Sequence, residues 1–258
     1  MHLRPAVRAD RPAERWLGLV LAVLLLAAVP CAARAEVPAH GGPIRGIAIS
    51  ADGTHALTAG FDYSIIEWDI GTVRPVRRLI GHNAAVNAVA YLPGGHAASA
   101  SDDGTVAIWS LADGARIRSL TGHGAKVTSI AASPDGALLA SAAWDGTVRL
   151  WKADSGAELR TLEHHANVNV VAFSPKGKQL VSAGHDGKVI VWNAADGSQL
   201  REFGGGFPII ALSFTADGRS LLTASADMTV RQWDVETGRE NAGPQRHDAP
   251  ILALGVST

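Results

Sequence analysis

Residues 141–151 read SAAWDGTVRLW, a Ser followed by a Trp-Asp-Gly turn and an apolar run that ends in a second Trp. Asp145 lies six residues before Trp151, and this spacing recurs every 41 or 42 residues along the chain. The five pairs are Asp62 and Trp68, Asp103 and Trp109, Asp145 and Trp151, Asp186 and Trp192, and Asp227 and Trp233. A unit of that length is too small to bury its own apolar face, so the units must stack on their neighbours.

Each unit is predicted to form four short antiparallel strands. In the third unit, apolar or alternating runs cover Val127 to Ala132, Leu138 to Ala142, Thr147 to Trp151 and Glu158 to Leu162. The segments between these runs contain Asp-Gly or Ser-Gly, which accept the positive φ of tight turns and indicate hairpins. No segment after residue 36 shows sustained helical spacing, and the fold class is therefore predicted to be all-β.

Four polar positions recur at fixed offsets: a His before the first strand, a Ser or Thr late in the second, the Asp of the next turn and the Trp that ends the third. The sets are His40, Thr58, Asp62 and Trp68; His82, Ser99, Asp103 and Trp109; His123, Ser141, Asp145 and Trp151; His164, Ser182, Asp186 and Trp192; and Thr223, Asp227 and Trp233, with Gly205 where the His is expected. This signature resembles that of bacterial, exported WD-repeat β-propellers.

The resemblance implies a β-propeller of five complete four-stranded blades and the first strand of a sixth. The blades are expected at about 40–80, 81–121, 122–162, 163–203 and 204–246, with a partial unit at 247–258. Within a blade the four signature side chains are expected to form a buried hydrogen-bonded chain, because carboxylate, imidazole, hydroxyl and indole can satisfy one another. We therefore interpret them as structural residues.

The end of the chain repeats the start of a unit. Ile251 to Val256 align with Ile44 to Ile49, the first strand of the first unit. Five blades and one strand would leave two unpaired sheet edges, which promote aggregation. Two interpretations remain open: a fragment of a longer propeller, or a closed five-blade ring whose last strand replaces a missing element.

The first 35 residues have the pattern of a secretory signal peptide. Four arginines precede 13 apolar residues, Leu17 to Val29, and the small residues of Ala33-Arg34-Ala35 follow. Cleavage is expected before Glu36. The alternative is an uncleaved membrane anchor, although 13 residues fall short of the roughly 20 that span a bilayer. Either outcome exports residues 36–258 to the periplasm or the extracellular space.

Composition excludes several function classes. Without residues 1–35 the chain has 18 basic and 22 acidic residues, a net charge of −4, and no cysteine. This charge argues against a nucleic-acid partner, because phosphate binding needs a basic stripe. A cysteine-free chain has no thiolate metal site and no c-type haem attachment. A periplasm is favoured over a eukaryotic secreted space, where disulfides are usual. No catalytic, metal or cofactor motif is visible, so we expect neither enzyme activity nor a cofactor.

The resemblance places partner binding on the face where the turns preceding each Asp meet the starts of the first strands. The residues predicted to contact a protein or peptide partner there are Phe61, Asp102, Trp144, His185, Arg45, Asn87, Lys126, Asn167 and Asn169. For Trp144 and Phe61, packing against the neighbouring blade's turn is the alternative interpretation. The predicted function is a non-catalytic interaction scaffold. The alternative is the binding portion of a longer enzyme or c-type cytochrome fusion, whose catalytic or haem module would lie beyond residue 258.

A reporter fusion tests the predicted export. Residues 1–40 fused to a reporter that is active only outside the cytoplasm should give activity, and N-terminal sequencing of the mature chain should begin at Glu36. A product that retains Leu17 to Val29 would establish the anchor instead. Replacing Leu24 and Leu25 by Arg in the same fusion is the control, and it should abolish export because charges interrupt the apolar run.

Overall fold

Glycine-containing turns connect antiparallel strands throughout residues 37–255, the part of the chain that the computed structural model describes. In the third unit Gly136 has φ = 69° and Gly146 has φ = 84°. A side chain is strained in that left-handed region, which explains why each of these two hairpin turns contains a glycine. The predicted signal peptide lies outside the described residues.

Twenty strands are found in this range, and they form five sheets of four in which the strands pair in chain order. Their bounds are β1 Ile44–Ile49, β2 His55–Gly60, β3 Ser64–Asp69, β4 Arg74–Ile80, β5 Val86–Leu92, β6 His96–Ser101, β7 Val106–Ser110, β8 Arg116–Leu120, β9 Val127–Ala132, β10 Leu138–Ala143, β11 Thr147–Lys152, β12 Glu158–Glu163, β13 Val168–Phe173, β14 Gln179–Gly184, β15 Lys188–Asn193, β16 Gln199–Gly204, β17 Ile209–Phe214, β18 Ser220–Ser225, β19 Thr229–Asp234 and β20 Glu240–Arg246. The predicted all-β fold of four-stranded blades is confirmed.

Each sheet carries a β-bulge beside its signature Trp. In the third sheet the register shifts between Leu150 and Trp151, so that Trp151 pairs with Glu158. The same shift occurs at the Trp of the other four sheets. A bulge bends its strand and redirects a side chain. Trp151 is 2% exposed and packs on the preceding sheet, among the side chains of β6 and β7.

The hydrophobic core lies between successive sheets. Four clusters of buried side chains join the first sheet to the second, the second to the third, the third to the fourth and the fourth to the fifth. In the first of these clusters Trp109 packs with Leu57 and Ile65. Trp151 and Trp192 are buried in the next two clusters, whereas Trp233 is only partly buried in the fourth. Truncating a buried Trp to Ala typically costs about 3–5 kcal/mol, so the first three interfaces each depend strongly on one indole.

A second bulge recurs at the start of the first strand of each sheet, and residues at this bulge form hydrogen bonds between blades. The bulge leaves Asn87, Thr128 and Asn169 without a partner on the adjacent strand. Their side chains donate instead to a backbone carbonyl in the next blade: Asn87 to Val127 at 2.8 Å, Thr128 to Val168 at 2.8 Å, and Asn169 to Ile209 at 2.9 Å. In the fifth blade the equivalent residue is Ile210, which cannot donate and is 38% exposed.

One face of the first blade is exposed. Val86 and Val89 in β5 are 0% and 7% exposed because they pack on the first blade. Their counterparts in β1, Ile44 and Ile47, are 55% and 67% exposed. They occupy the positions that are buried in the second blade, and a further apolar surface on that side would be needed to bury them.

The strand expected at Ile251 to Val256 is not formed within its described residues. Residues 251–255 belong to no sheet, and Leu252 is 84% exposed. In each of the five sheets, the first strand pairs with the second strand of the same sheet. Residues 251–255 have no such partner among the described strands, so their apolar pattern alone does not make them a strand. Residues 256–258 lie outside the described residues.

We expect the purified chain to self-associate through the exposed face of the first blade. Apolar patches of this kind favour association. Replacing Ile44 and Ile47 together by Lys should reduce the associated fraction measured by sedimentation velocity. Ile117 and Leu159 are comparably exposed at 44% and 41% but lie on outer strands. Lys at these two positions is the matched control and should have little effect. A monomeric wild-type chain would contradict the expectation.

Candidate functional site

The signature residues of the third blade form one hydrogen-bonded chain. The Trp151 indole N–H donates to Ser141 Oγ at 2.9 Å, and Ser141 Oγ lies 2.8 Å from Nε2 of His123. The proton of the neutral imidazole is on the nitrogen that faces the Asp145 carboxylate, so Nε2 is an acceptor and the Ser141 hydroxyl donates to it. The other ring nitrogen, Nδ1, donates to Asp145 Oδ2 at 2.8 Å. The chain runs from the buried indole to the turn that carries Asp145.

Asp145 organises that turn. Its carboxylate accepts the backbone N–H of Gly124 at 2.9 Å and both the N–H and the hydroxyl of Thr147. The residue directly before it is Trp144, one of the predicted partner contacts. The hydrogen-bonded chain of the signature residues therefore fixes the position of the backbone at Trp144.

The second blade shows the electrostatic consequence of this arrangement. Burial raises the pKa of Asp103, but hydrogen bonds from Thr105, the Asn83 N–H and His82 outweigh it and bring the pKa to about 2. Burial lowers the pKa of His82 despite the opposing effect of Asp103. The pair is thus a carboxylate and a neutral imidazole at neutral pH, as the hydrogen-bonded chain requires.

In the fourth blade the imidazole is reversed. His164 uses Nδ1 to contact Ser182 Oγ at 2.8 Å, and its Nε2 lies 3.5 Å from Asp186 Oδ1. The residue before this His is Glu163, whereas the second and third blades have a glycine with φ of 159° or 151° at that place. A Cβ at the glycine of the second blade would approach Trp109 to 3.2 Å. The chain enters the fourth blade differently, and the sequence signature did not predict the reversal.

In the fifth blade an arginine takes the place of the missing His as partner of the carboxylate. Arg231 Nη2 donates to Asp227 Oδ2 at 2.8 Å. The indole of Trp233 still donates to Thr223 Oγ1 at 2.8 Å. The predicted hydrogen-bonded chain is therefore divided here into two separate pairs.

Three of the predicted partner contacts converge on the aromatic ring of a fourth, Trp144. Lys126 Nζ lies 3.2 Å from the centroid of the Trp144 ring, and His185 of the next blade meets the ring edge-on with 5.2 Å between centroids. The Trp144 indole N–H donates to Asn169 Oδ1 at 3.2 Å. We call these four residues the Trp144 cluster. Trp144 is half-buried, and His185 is exposed.

Two smaller pairs occupy the same face in the first and second blades. The Arg45 guanidinium carbon lies 4.4 Å from the centroid of Phe61, which is 41% exposed. Asn87 Nδ2 donates to Asp102 Oδ1 at 2.8 Å. Asn167 contributes its backbone carbonyl, which accepts the His185 N–H at 2.9 Å. The NH2 group of Asn87 and the whole amide of Asn169 are thus already engaged within the protein. The sequence analysis treated both residues as adaptable contacts and did not predict these bonds.

The described residues contain no group of three or more His, Cys, Asp or Glu side chains arranged to hold a metal ion. No helix in residues 37–255 has the length and apolar character to cross a membrane.

The structure is a stack of four-stranded sheets, and in each sheet the turn before the third strand contains an Asp and that strand has a Trp near its end. These features define a β-propeller protein built from WD-type blades. The family model described as IFT122 first beta-propeller matches residues 94–258, and the one described as WD domain, G-beta repeat matches residues 33–69 and 73–110. The chain belongs to the WD-repeat β-propeller family. Propellers of this family generally act as protein-interaction scaffolds and are typically non-catalytic. A comparison with curated proteins returned no match.

Replacing Asp145 by Ala should lower the free energy of unfolding by roughly 2–4 kcal/mol, because it leaves a buried imidazole and two turn N–H groups without their acceptor. Asp227→Ala should cost less, since its partner Arg231 is 26% exposed and lies 3.8 Å from Glu240. Urea unfolding measures both.

The exposed turn residue Asp196, whose carboxylate accepts from Ser198, provides the control for this comparison. Asp196→Ala should change stability by less than about 1 kcal/mol. Equal losses for Asp145→Ala and Asp227→Ala would contradict the structural role assigned to the signature His.

Proposed function

We propose that this propeller is a non-catalytic scaffold that binds a protein or peptide partner through the face carrying the Trp144 cluster. The Trp144 cluster is the observation that carries the proposal. A large aromatic side chain is held in one orientation by a cation on its ring, a histidine at its edge and an amide on its indole nitrogen. Such preorganised aromatic anchors contribute most of the energy at many protein interfaces.

The neighbouring blades extend the proposed surface. In the first blade, Phe61 and Arg45 form a second pair of an aromatic ring and a cation. Asp102 adds a carboxylate in the second blade, which lies between this pair and the Trp144 cluster of the third. Tyr, Trp, Phe and Arg are enriched in the buried centre of interfaces. A partner that spans three blades would contact both aromatic rings.

The proposed location is the periplasm. The support is the leader of residues 1–35, with its arginines, its apolar run and its small residues before Glu36. The absence of cysteine from residues 36–258 agrees with this location, since no free thiol is exposed to an oxidising compartment.

Photo-crosslinking tests the proposed face. A photoreactive amino acid in place of Phe61 should capture a discrete partner in cells that export the chain. Trp144→Ala should then weaken binding of that purified partner by at least tenfold, because a buried aromatic anchor is worth about 2 kcal/mol or more.

The matched control is Lys176, an exposed residue in the turn between β13 and β14 at the opposite end of the blade. A photoreactive residue there should not capture the partner, and Lys176→Ala should bind normally. Circular dichroism and thermal unfolding must show Trp144→Ala to be folded. Collapse of the fold in that variant would assign Trp144 to packing, and unchanged affinity in a folded variant would overturn the proposal.

A further inference from the structure

The fifth blade lacks the imidazole that the other four blades contain, and the chain around that position is all glycine. Gly204, Gly205 and Gly206 connect β16 to β17 with φ of 82°, 122° and 109°. A Cβ built at Gly205 would meet no atom within 4 Å. The place that His123 fills in the third blade therefore receives no side chain from the equivalent residue of the fifth.

In the other blades the environment of the ring is well defined. The His82 ring lies between Ser99 Oγ at 2.7 Å and Asp103 Oδ2 at 2.8 Å. Its centroid is 5.8 Å from that of Trp109, in an edge-on arrangement, and the third blade repeats this geometry at 6.4 Å. A hydroxyl, a carboxylate and an indole thus surround each imidazole.

Two of these three groups keep their geometry in the fifth blade. Trp233 donates to Thr223 Oγ1 at 2.8 Å, the same bond that Trp109 makes to Ser99. Thr223 is only 2% exposed, and none of the described residues accepts a hydrogen bond from its hydroxyl. A buried donor without an acceptor is unfavourable. The hydroxyl is therefore set to donate to an acceptor from outside the blade.

The third group, the carboxylate, is occupied. Asp227 is bound by Arg231 and by the hydroxyl of Thr229 at 2.6 Å. A ligand at the position of the ring does not need to donate an N–H to this carboxylate, and the guanidinium of Arg231 disfavours a cation there. These contacts select a neutral ring with a lone pair.

A cavity of about 320 Å³ opens at this place. We call it the fifth-blade cavity, and its lining includes Gly205, Phe207, Thr223, Arg231, Trp233 and Glu240. Its volume lies at the lower end of the roughly 300–1,000 Å³ typical of small-molecule sites. Phe207 at its rim is 61% exposed, so the cavity is accessible from solvent.

We propose that the fifth-blade cavity binds a neutral imidazole ring, whose unprotonated nitrogen accepts the hydrogen bond of the Thr223 hydroxyl and whose edge packs on Trp233. The ring comes either from a free heterocycle or from a histidine side chain of a bound polypeptide. The site is separate from the Trp144 cluster and does not depend on the function proposed for that face.

The test follows the indole N–H resonance of Trp233 by NMR while imidazole is added to the full chain at about pH 8, where an imidazole of ordinary pKa near 6.5 is neutral. A Trp233→Phe variant assigns the resonance. Imidazole should shift it with saturation. Pyrrole has the same shape and an N–H but no acceptor lone pair, and it should cause no saturable shift.

Matched variants locate the site. Thr223→Ser keeps the hydroxyl, as in the second to fourth blades, and should still bind imidazole; Thr223→Val should bind at least tenfold more weakly. His123→Gly opens an equivalent space beside Ser141 and should make the Trp151 resonance respond as well. If Thr223→Val does not fold, the comparison of imidazole with pyrrole on the wild-type chain still decides the outcome.

A peptide pair distinguishes the sources of the ring. If blocked Gly-His-Gly saturates the shift at a lower concentration than imidazole does, the ring comes from a polypeptide histidine. Blocked Gly-Phe-Gly is the control. Saturation by imidazole alone assigns it to a free heterocycle. The proposal is overturned if the Trp233 resonance does not respond while Trp151 of His123→Gly does, or if pyrrole and imidazole act equally.

Discussion

A four-stranded sheet of about forty residues has two apolar faces and no means of covering either by itself. Stacking is therefore the constraint on which the rest of this structure depends. Leu57 and Val86, from adjacent blades, are both fully buried because each covers the other's sheet. The polar contacts follow from this arrangement, since only a dry interface makes an unpaired hydroxyl or imidazole costly enough to require a defined partner.

The stacked core and the proposed binding face are connected through the turn aspartates. Asp145 receives hydrogen bonds from the buried His123 on one side and from the backbone of its own turn on the other. Trp144 precedes it, so the backbone position of this half-buried aromatic is set by a chain of contacts that starts at a buried indole. Binding residues on a propeller can vary because this support does not involve their side chains.

Comparison of the five blades shows how the same signature tolerates change. In the first three blades one continuous chain forms, although the residue before the His is Ala39 in the first and a glycine in the other two. In the fourth blade, where Glu163 precedes the His, the ring of His164 is reversed. Where glycine replaces the His, Arg231 binds the carboxylate and the Thr223 hydroxyl keeps only its indole partner. Offsets in the sequence identify which residues belong together, but ring orientation and substitute partners depend on backbone geometry outside the signature.

The sequence by itself determined the repeat, the four-stranded units and the strand bounds of the third blade to within one residue, because hydrophobic alternation and turn chemistry are local. The third blade joins its signature residues in one hydrogen-bonded chain, whereas the fifth separates Asp227 from Thr223 and Trp233. Only the tertiary structure brought Lys126, His185 and Asn169 around Trp144, and only it gave Asn87 and Thr128 their carbonyls in the next blade. The contacts of Asn87 and Thr128 join residues 40 positions apart across a blade interface, and the Trp144 ring also meets Asn169 and His185 of the next blade. The geometry of these contacts between blades is set by how the bulged first strands stack, which no local pattern encodes.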